Sequence, residues 1–209
     1  MAETGAGRNR TVRPLLAAGG VAVVTAVSIA GGIVWGANGP AAEAAPADAF
    51  AAAPGCDAVG SGAVESVAPS AVLVSAERGP LVNADAGGCA WSSVDVEDAA
   101  PRTLQVDFTA HFTDKAGETS GEQAAAEEMR RLAPVGELDG AAPVAALGED
   151  ALMWPSTAVR GAAEVAFRRD NLVVRIWYGG DEDADGAALD YEDARDRAVA
   201  VAEELAAAL

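Results

Sequence analysis

The acidic segment from Asp181 to Glu192 has the spacing of a calcium-binding loop. Asp181, Asp183 and Asp185 occupy positions 1, 3 and 5 of the loop template, Gly186 occupies position 6 and Glu192 occupies position 12. In such loops the three aspartates and the final glutamate surround the ion, and the glycine permits a tight turn. The spacing therefore predicts a calcium site at these four carboxylates.

The same segment has a second interpretation, in which it is a solvated acidic turn. Ala188 stands where the template has a branched apolar residue, and two glycines precede the loop instead of a helix. Asp190 would then cap the helix that follows, and Glu192 would lie in the first turn, where the helix dipole favours a negative charge. Both interpretations remain open at the level of the sequence.

A further group of polar and aromatic residues lies on two predicted strands. Residues 102–114 alternate apolar and polar side chains, which indicates a strand with one buried face and one wet face. In 172–178 an arginine and a tryptophan share one face, an arrangement suited to a ligand or a partner. The candidates for ligand binding are Gln105, Asp107, His111, Arg175 and Trp177.

Composition and motifs exclude several classes of function. The chain has 14 Lys and Arg residues against 32 Asp and Glu residues, with a formal net charge of -18, so it lacks the clustered cations that nucleic acid requires. With His111 as the only histidine, it cannot assemble a Ser-His-Asp triad or a histidine-rich zinc site. We expect no enzyme activity; a secreted hydrolase that uses carboxylates is the alternative.

The segment 15–36 is predicted to be a transmembrane helix. It has no charged residue, and as a helix its 22 residues span about 33 Å, enough to cross a bilayer core. Arg8, Arg10 and Arg13 precede it, so the positive-inside rule places residues 1–14 in the cytoplasm and the rest outside. The alternative is a cleaved signal peptide, which would release a secreted protein.

Beyond the membrane segment, residues 37–55 are rich in Ala, Pro and Gly and are predicted to be a linker. A domain is expected from 56 to 209. Its two cysteines, Cys56 and Cys89, are the only ones in the chain. In an oxidising compartment such a pair predicts a structural disulfide.

The pattern of the domain predicts an α+β fold in the order helix, strands, helix, strands, helix. Strands in groups joined by short turns indicate antiparallel pairing, so we expect a single antiparallel sheet with helices packed on it. The expected elements are a short helix ending at Pro69, strands at 71–76, 89–96 and 102–114, a helix at 120–133, a strand or strand pair at 144–154, a hairpin of 163–169 with 172–178, and a helix at 190–209.

These elements carry motifs that resemble a family of actinobacterial envelope proteins known as domain of unknown function 3558. The motifs are Cys56 at the start of a helix, Gly88-Cys-Ala-Trp91, the block 148–154, the Arg169-Asp-Asn hairpin turn and the Ala-rich last helix. The likeness covers roughly 56–209. It implies an extracytoplasmic domain without established catalytic residues. Many members look like lipoproteins, whereas this chain lacks the lipid-accepting cysteine.

The sequence as a whole predicts a single-pass cell-membrane protein with an extracytoplasmic domain. We expect the domain to act as a binding, sensing or scaffold module of the cell envelope. Its partners would be the membrane through 15–36 and an envelope protein or small ligand, and no nucleic acid. The alternative function is calcium-modulated binding through 181–192.

The calcium hypothesis predicts that about 1–5 mM calcium raises the thermal unfolding midpoint of the full chain, because a ligand that binds only the folded state stabilises it. Asp181→Ala and Glu192→Ala should abolish this rise, which scanning calorimetry would measure. Magnesium and a chelator serve as controls. Equal midpoints in calcium, magnesium and chelator would refute the site.

Overall fold

The computed structural model describes residues 43–132, 140–180 and 189–209. Within these ranges the α-helices are α1 (Ser61–Val67), α2 (Gly121–Leu132) and α3 (Tyr191–Ala208). The strands are β1 (Val72–Leu81), β2 (Ala84–Ser92), β3 (Arg102–His111), β4 (Ala142–Pro143), β5 (Leu152–Pro155), β6 (Ala163–Arg169) and β7 (Leu172–Gly180).

The strands form one sheet in the order β1-β2-β3-β7-β6-β5-β4, and every neighbouring pair is antiparallel. This confirms the predicted α+β class with a single antiparallel sheet. The long strand β3 pairs with β7 at the centre, while β1 and the two-residue β4 are the edges. The residues at the centre of the sheet therefore come from strands far apart in sequence.

The predicted membrane helix at 15–36 and the tail at 1–14 lie outside the described residues. Among the residues that the structure describes, none of the helices has the length and apolar character needed to cross a membrane. The span over 15–36 stays a prediction.

One face of the sheet packs against α1 and α3 and forms the main core. Leu104, Val106 and Phe108 project from β3 into this core and are almost completely buried. On α3 the buried positions recur every three or four residues, as the predicted amphipathic pattern requires. They are Ala194, Ala198, Val201, Ala202 and Leu205.

The opposite face is covered only in part. Helix α2 packs against β3, β6 and β7, where a second apolar cluster forms around Met129 and Val173. Ser120 begins α2 as a capping box, since its Oγ accepts from the Gln123 amide at 3.1 Å and the Gln123 side chain accepts from the Ser120 amide at 3.0 Å. The predicted start of this helix is confirmed.

Two predicted strands have different bounds in the structure. The expected strand 71–76 belongs, apart from Ala71, to the longer β1, whereas the expected strand 89–96 overlaps β2 only at 89–92, because β2 begins at Ala84 and ends at Ser92. Strands β1 and β2 form a hairpin that turns at Val82 and Asn83. Gly79-Pro80 and Gly87-Gly88 resemble turns in the sequence. Proline is tolerated here because β1 is an edge strand, where a missing backbone N–H costs little.

The predicted block 144–154 divides into a 3-10 turn and β5.

Residues 43–55, which we call the N-terminal strap, lie against the domain and do not form the predicted linker. Asp48 accepts hydrogen bonds from the Thr113 amide and hydroxyl, and the Ala53 amide donates to Asp85. Composition alone suggested a free chain, but these long-range contacts hold it. The ordered part of the domain therefore begins before Cys56.

Asn171 joins the strap to the sheet. Its side chain is 1% exposed, accepts from the Phe50 amide at 2.8 Å, and donates to the carbonyls of Phe50 at 2.9 Å and His111 at 2.7 Å. Cys56 also forms the predicted disulfide with Cys89, with 5.6 Å between the Cα atoms. A loop of this length is worth about 3–4 kcal/mol in the chain-entropy model.

Replacement of Asn171 by alanine is expected to lower the free energy of unfolding by about 2–4 kcal/mol, since it removes the side-chain partner of the half-buried Phe50 amide and of two carbonyls. Urea denaturation would measure the change. Asn83→Gly is the matched control, because Asn83 is an exposed turn residue with a φ of 53° that glycine adopts freely. Equal losses in the two variants would contradict the role of the buried network.

Candidate functional site

The pairing of β3 with β7 brings the predicted polar residues together. Gln105 lies opposite Trp177, and Asp107 lies opposite Arg175. On the other side of β7, Glu164 of β6 is the partner of Trp177. Because side chains alternate along a strand, these residues all project from the face that turns away from the main core. We call Gln105, Asp107, Glu164, Arg175 and Trp177 the open face.

Trp177 lies flat along its strand. A Cβ atom added to Gly179 would stand only 2.6 Å from Cη2 of the Trp177 ring, so the indole covers the glycine backbone. The ring Nε1 donates to the Ser156 hydroxyl at 3.2 Å, which fixes its orientation. The side chain is partly exposed. Because the indole is held in one orientation and is partly exposed, its accessible part can serve as a platform for stacking.

Arg175 is held by an acid and a ring. Its Nη2 donates to Glu164 Oε2 at 2.6 Å, and its Cζ lies 5.7 Å from the centre of the Trp154 ring. The Arg175 side chain is 46% exposed, whereas that of Glu164 is 15% exposed. The guanidinium carries five N–H donors, so this arrangement positions it while leaving part of it accessible to solvent.

Asp107 is a desolvated acid of the open face. The Gln105 Nε2 donates to both of its carboxylate oxygens, at 3.1 and 2.8 Å. Burial raises the pKa of the Asp107 carboxyl, with smaller contributions from the charges of Glu164 and Glu77, while Gln105 and Arg175 oppose the shift. A buried carboxylate whose hydrogen bonds come from a single amide can accept further donors.

The carboxyl of Asp107 packs against the neighbouring strand. A Cβ atom added to Gly88 of β2 would stand 3.2 Å from Asp107 Oδ1, so glycine leaves room for the acid there. Two cavities of the described residues, of about 570 Å³ beside the disulfide and about 280 Å³ beside α3, are lined by other residues. Asp107 lines neither of these two cavities.

His111 does not join the open face. The alternation places it on the same side of β3, as expected, but α2 packs against that end of the strand. Its Nε2 pairs with Glu128 of α2. The expectation of an exposed histidine beside Asp107 is thus wrong, because a helix from elsewhere in the chain lies over it.

The predicted calcium loop falls largely outside the described residues, which omit 181–188 and with them Asp181, Asp183 and Asp185. Glu192 is described and lies exposed in the first turn of α3. Asp190 caps this helix by accepting from the Asp193 amide at 2.8 Å. In the described ranges no group of three metal-ligating side chains is close enough to hold an ion. The calcium site stays a prediction.

Glu164 is the member of the open face that sequence reasoning missed. The signal was present in the hairpin of β6 and β7, since its turn at Asp170 and Asn171 makes Arg169 the partner of Leu172 and thereby Glu164 the partner of Trp177. Counting residue pairs outward from that turn would have placed Glu164 beside Trp177.

Asp107→Asn is expected to raise the midpoint of thermal unfolding at neutral pH. Because the pKa of Asp107 is raised on folding, its ionised form costs folding free energy, and this cost disappears as the pH falls through the raised value toward the ordinary 3.8. The gain from Asp107→Asn should therefore shrink toward about pH 3. Calorimetry from pH 3 to 7 would measure it, with the exposed Glu203→Gln as control. A lower midpoint for Asp107→Asn at pH 7 would contradict the expected cost.

Comparisons with known proteins do not assign this fold to a family. No protein-family model, curated protein or solved structure matches the chain. The resemblance to domain of unknown function 3558 accordingly remains a prediction from the motifs.

Proposed function

We propose that this protein is a membrane-anchored extracytoplasmic binding module of the cell envelope and that it holds its ligand on the open face. The anchor is the apolar segment 15–36, oriented by the arginines that precede it. The resemblance to domain of unknown function 3558 agrees with an envelope location.

The observation that carries this proposal is the composition of the open face. Asp107, Arg175 and Trp177 project from the central strands of the sheet, where a structural surface would need neither a desolvated acid nor a fixed indole. The raised pKa of Asp107 means that its ionised form costs folding free energy. Groups that reduce stability in this way cluster at sites of function.

The geometry favours binding over catalysis. The open face lies on a sheet surface, whereas acid catalysis by paired carboxylates requires them to flank a bond in a site shielded from water. Asp107 receives its hydrogen bonds from Gln105, and Glu164 bonds to Arg175, so each acid is held by a different partner. These contacts suit recognition of a ligand by several fixed polar groups.

The disulfide supports the extracytoplasmic location. Cys56 and Cys89 are joined in the folded domain, and such bonds persist in oxidising compartments. The bond also ties Cys56, which directly follows the N-terminal strap, to β2. A domain stapled in this way keeps its surface intact outside the cell.

The proposed topology predicts which introduced cysteines a membrane-impermeant maleimide can label in intact cells. Thr157→Cys introduces a thiol at an exposed position of the domain, and Glu3→Cys introduces one in the predicted cytoplasmic tail. We expect labelling of the Thr157 variant in intact cells, and of the Glu3 variant only after lysis. The opposite pattern would overturn the proposed topology. If labelled protein that lacks 1–36 is found in the medium, the segment 15–36 is part of a cleaved signal peptide and not a membrane anchor.

A further inference from the structure

The open face offers hydrogen-bond donors and acceptors side by side. Arg175 supplies N–H donors from a half-exposed guanidinium, and Asp107 supplies carboxylate oxygens next to it on the paired strand. Gln105 lies opposite Trp177 on the paired strand, and its side-chain amide donates a hydrogen bond to Asp107. All three groups are planar and are placed within one or two strand positions of the indole platform.

Charges of both signs lie on this surface. Arg175 is flanked by Asp107 on β3 and by Glu164, with which it pairs. Glu77 on the outer strand β1 adds another acid on the Asp107 side. An anionic ligand would be repelled by the three acids, and a cationic ligand would be repelled by Arg175, whereas a ligand without charge meets no charge of its own sign.

An apolar ligand fits the open face no better. It would cover Asp107 and the free part of Arg175 without replacing their contacts with water, and buried charges without partners are costly. A ligand with many hydroxyl groups and no net charge satisfies both kinds of group. Each hydroxyl can donate to a carboxylate or amide oxygen and accept from a guanidinium.

We propose, as an extension of the proposed function, that the open face binds a neutral carbohydrate chain. One sugar ring stacks its C–H face on the Trp177 indole, while its hydroxyls accept from Arg175 and donate to Asp107 and to the Gln105 carbonyl oxygen. Helix α2 packs on the end of β3 at His111, so neighbouring sugar residues extend from Trp177 in the direction away from α2. The ligand is thus an extended glycan instead of a single enclosed sugar.

The test is isothermal titration of the full chain in neutral-lipid nanodiscs. The probes are linear neutral tetrasaccharides of glucose, mannose, galactose or arabinose, with the matching monosaccharides. Tetralysine and tetragalacturonate serve as cationic and anionic comparators, and empty nanodiscs serve as the blank. We expect at least one neutral tetrasaccharide to bind, and to bind more tightly than its monosaccharide.

Single substitutions test whether the carbohydrate binds at the open face. Trp177→Ala should weaken the affinity about tenfold or more, whereas Trp177→Phe should retain much of it because the aromatic face is kept. Arg175→Ala should also weaken binding. Arg195→Ala is its matched control, since Arg195 pairs with Asp196 on α3. Circular dichroism of each variant checks that the fold is kept.

The outcomes separate the ligand class from the proposed function. Binding of tetralysine or tetragalacturonate that Trp177→Ala abolishes, with no response to any neutral tetrasaccharide, would overturn the carbohydrate inference but keep the open face as a binding surface. Carbohydrate binding that Trp177→Ala and Arg175→Ala leave unchanged would overturn the assignment to this face. Absence of binding by every probe would overturn the carbohydrate inference and remove support for the proposed binding function.

Discussion

The antiparallel register of β3 against β7 is the constraint on which both the core and the open face depend. It sets Val106 opposite Ile176 on the buried side and Asp107 opposite Arg175 on the other. Because side chains alternate with a period of two, a shift of one residue would move the acid into the core and the valine into solvent. The cost of burying a charge in an apolar core makes such a slip very unfavourable. The hydrophobic pattern that folds the sheet therefore also positions the polar cluster.

The two faces of the sheet are used differently. The core face receives α3 through small side chains such as Ala194 and Ala198, which allow the helix to lie close to the strands. The N-terminal strap is held by buried hydrogen bonds at Asn171, and the disulfide links its end to β2. The strands supply the large side chains of this core, among them Phe108, Phe167 and Tyr178. On the opposite face, α2 covers only part of the sheet.

The open face combines a desolvated acid with an arginine that is held in place. Asp107 is desolvated, and Arg175 is held by Glu164 and the Trp154 ring. Each has a specific partner, which restricts the conformations of both side chains. A rigid surface binds with a smaller loss of conformational entropy than one that must be ordered by its ligand. The fixed orientation of Trp177 has the same effect.

Much of the secondary structure could be predicted from local patterns. The alternation in β3, the two-residue turn between β6 and β7, the capping box at Ser120 and the cap at Asp190 are all short-range features, and the structure contains each of them. Local patterns failed where the tertiary structure overrides composition. The N-terminal strap looked like a linker, and β1 and β2 looked interrupted by glycine and proline.

By itself the sequence determined which side chains share a face of each strand, where α2 and α3 begin, and which cysteines pair, because these depend on residues close in the chain or on there being only two cysteines. Only the tertiary structure decided which polar residues are exposed together. His111 and Asp107 lie on the same face of β3, yet α2 covers one and leaves the other on the open face. That difference comes from helix packing across the sheet, which the alternation within a single strand does not encode.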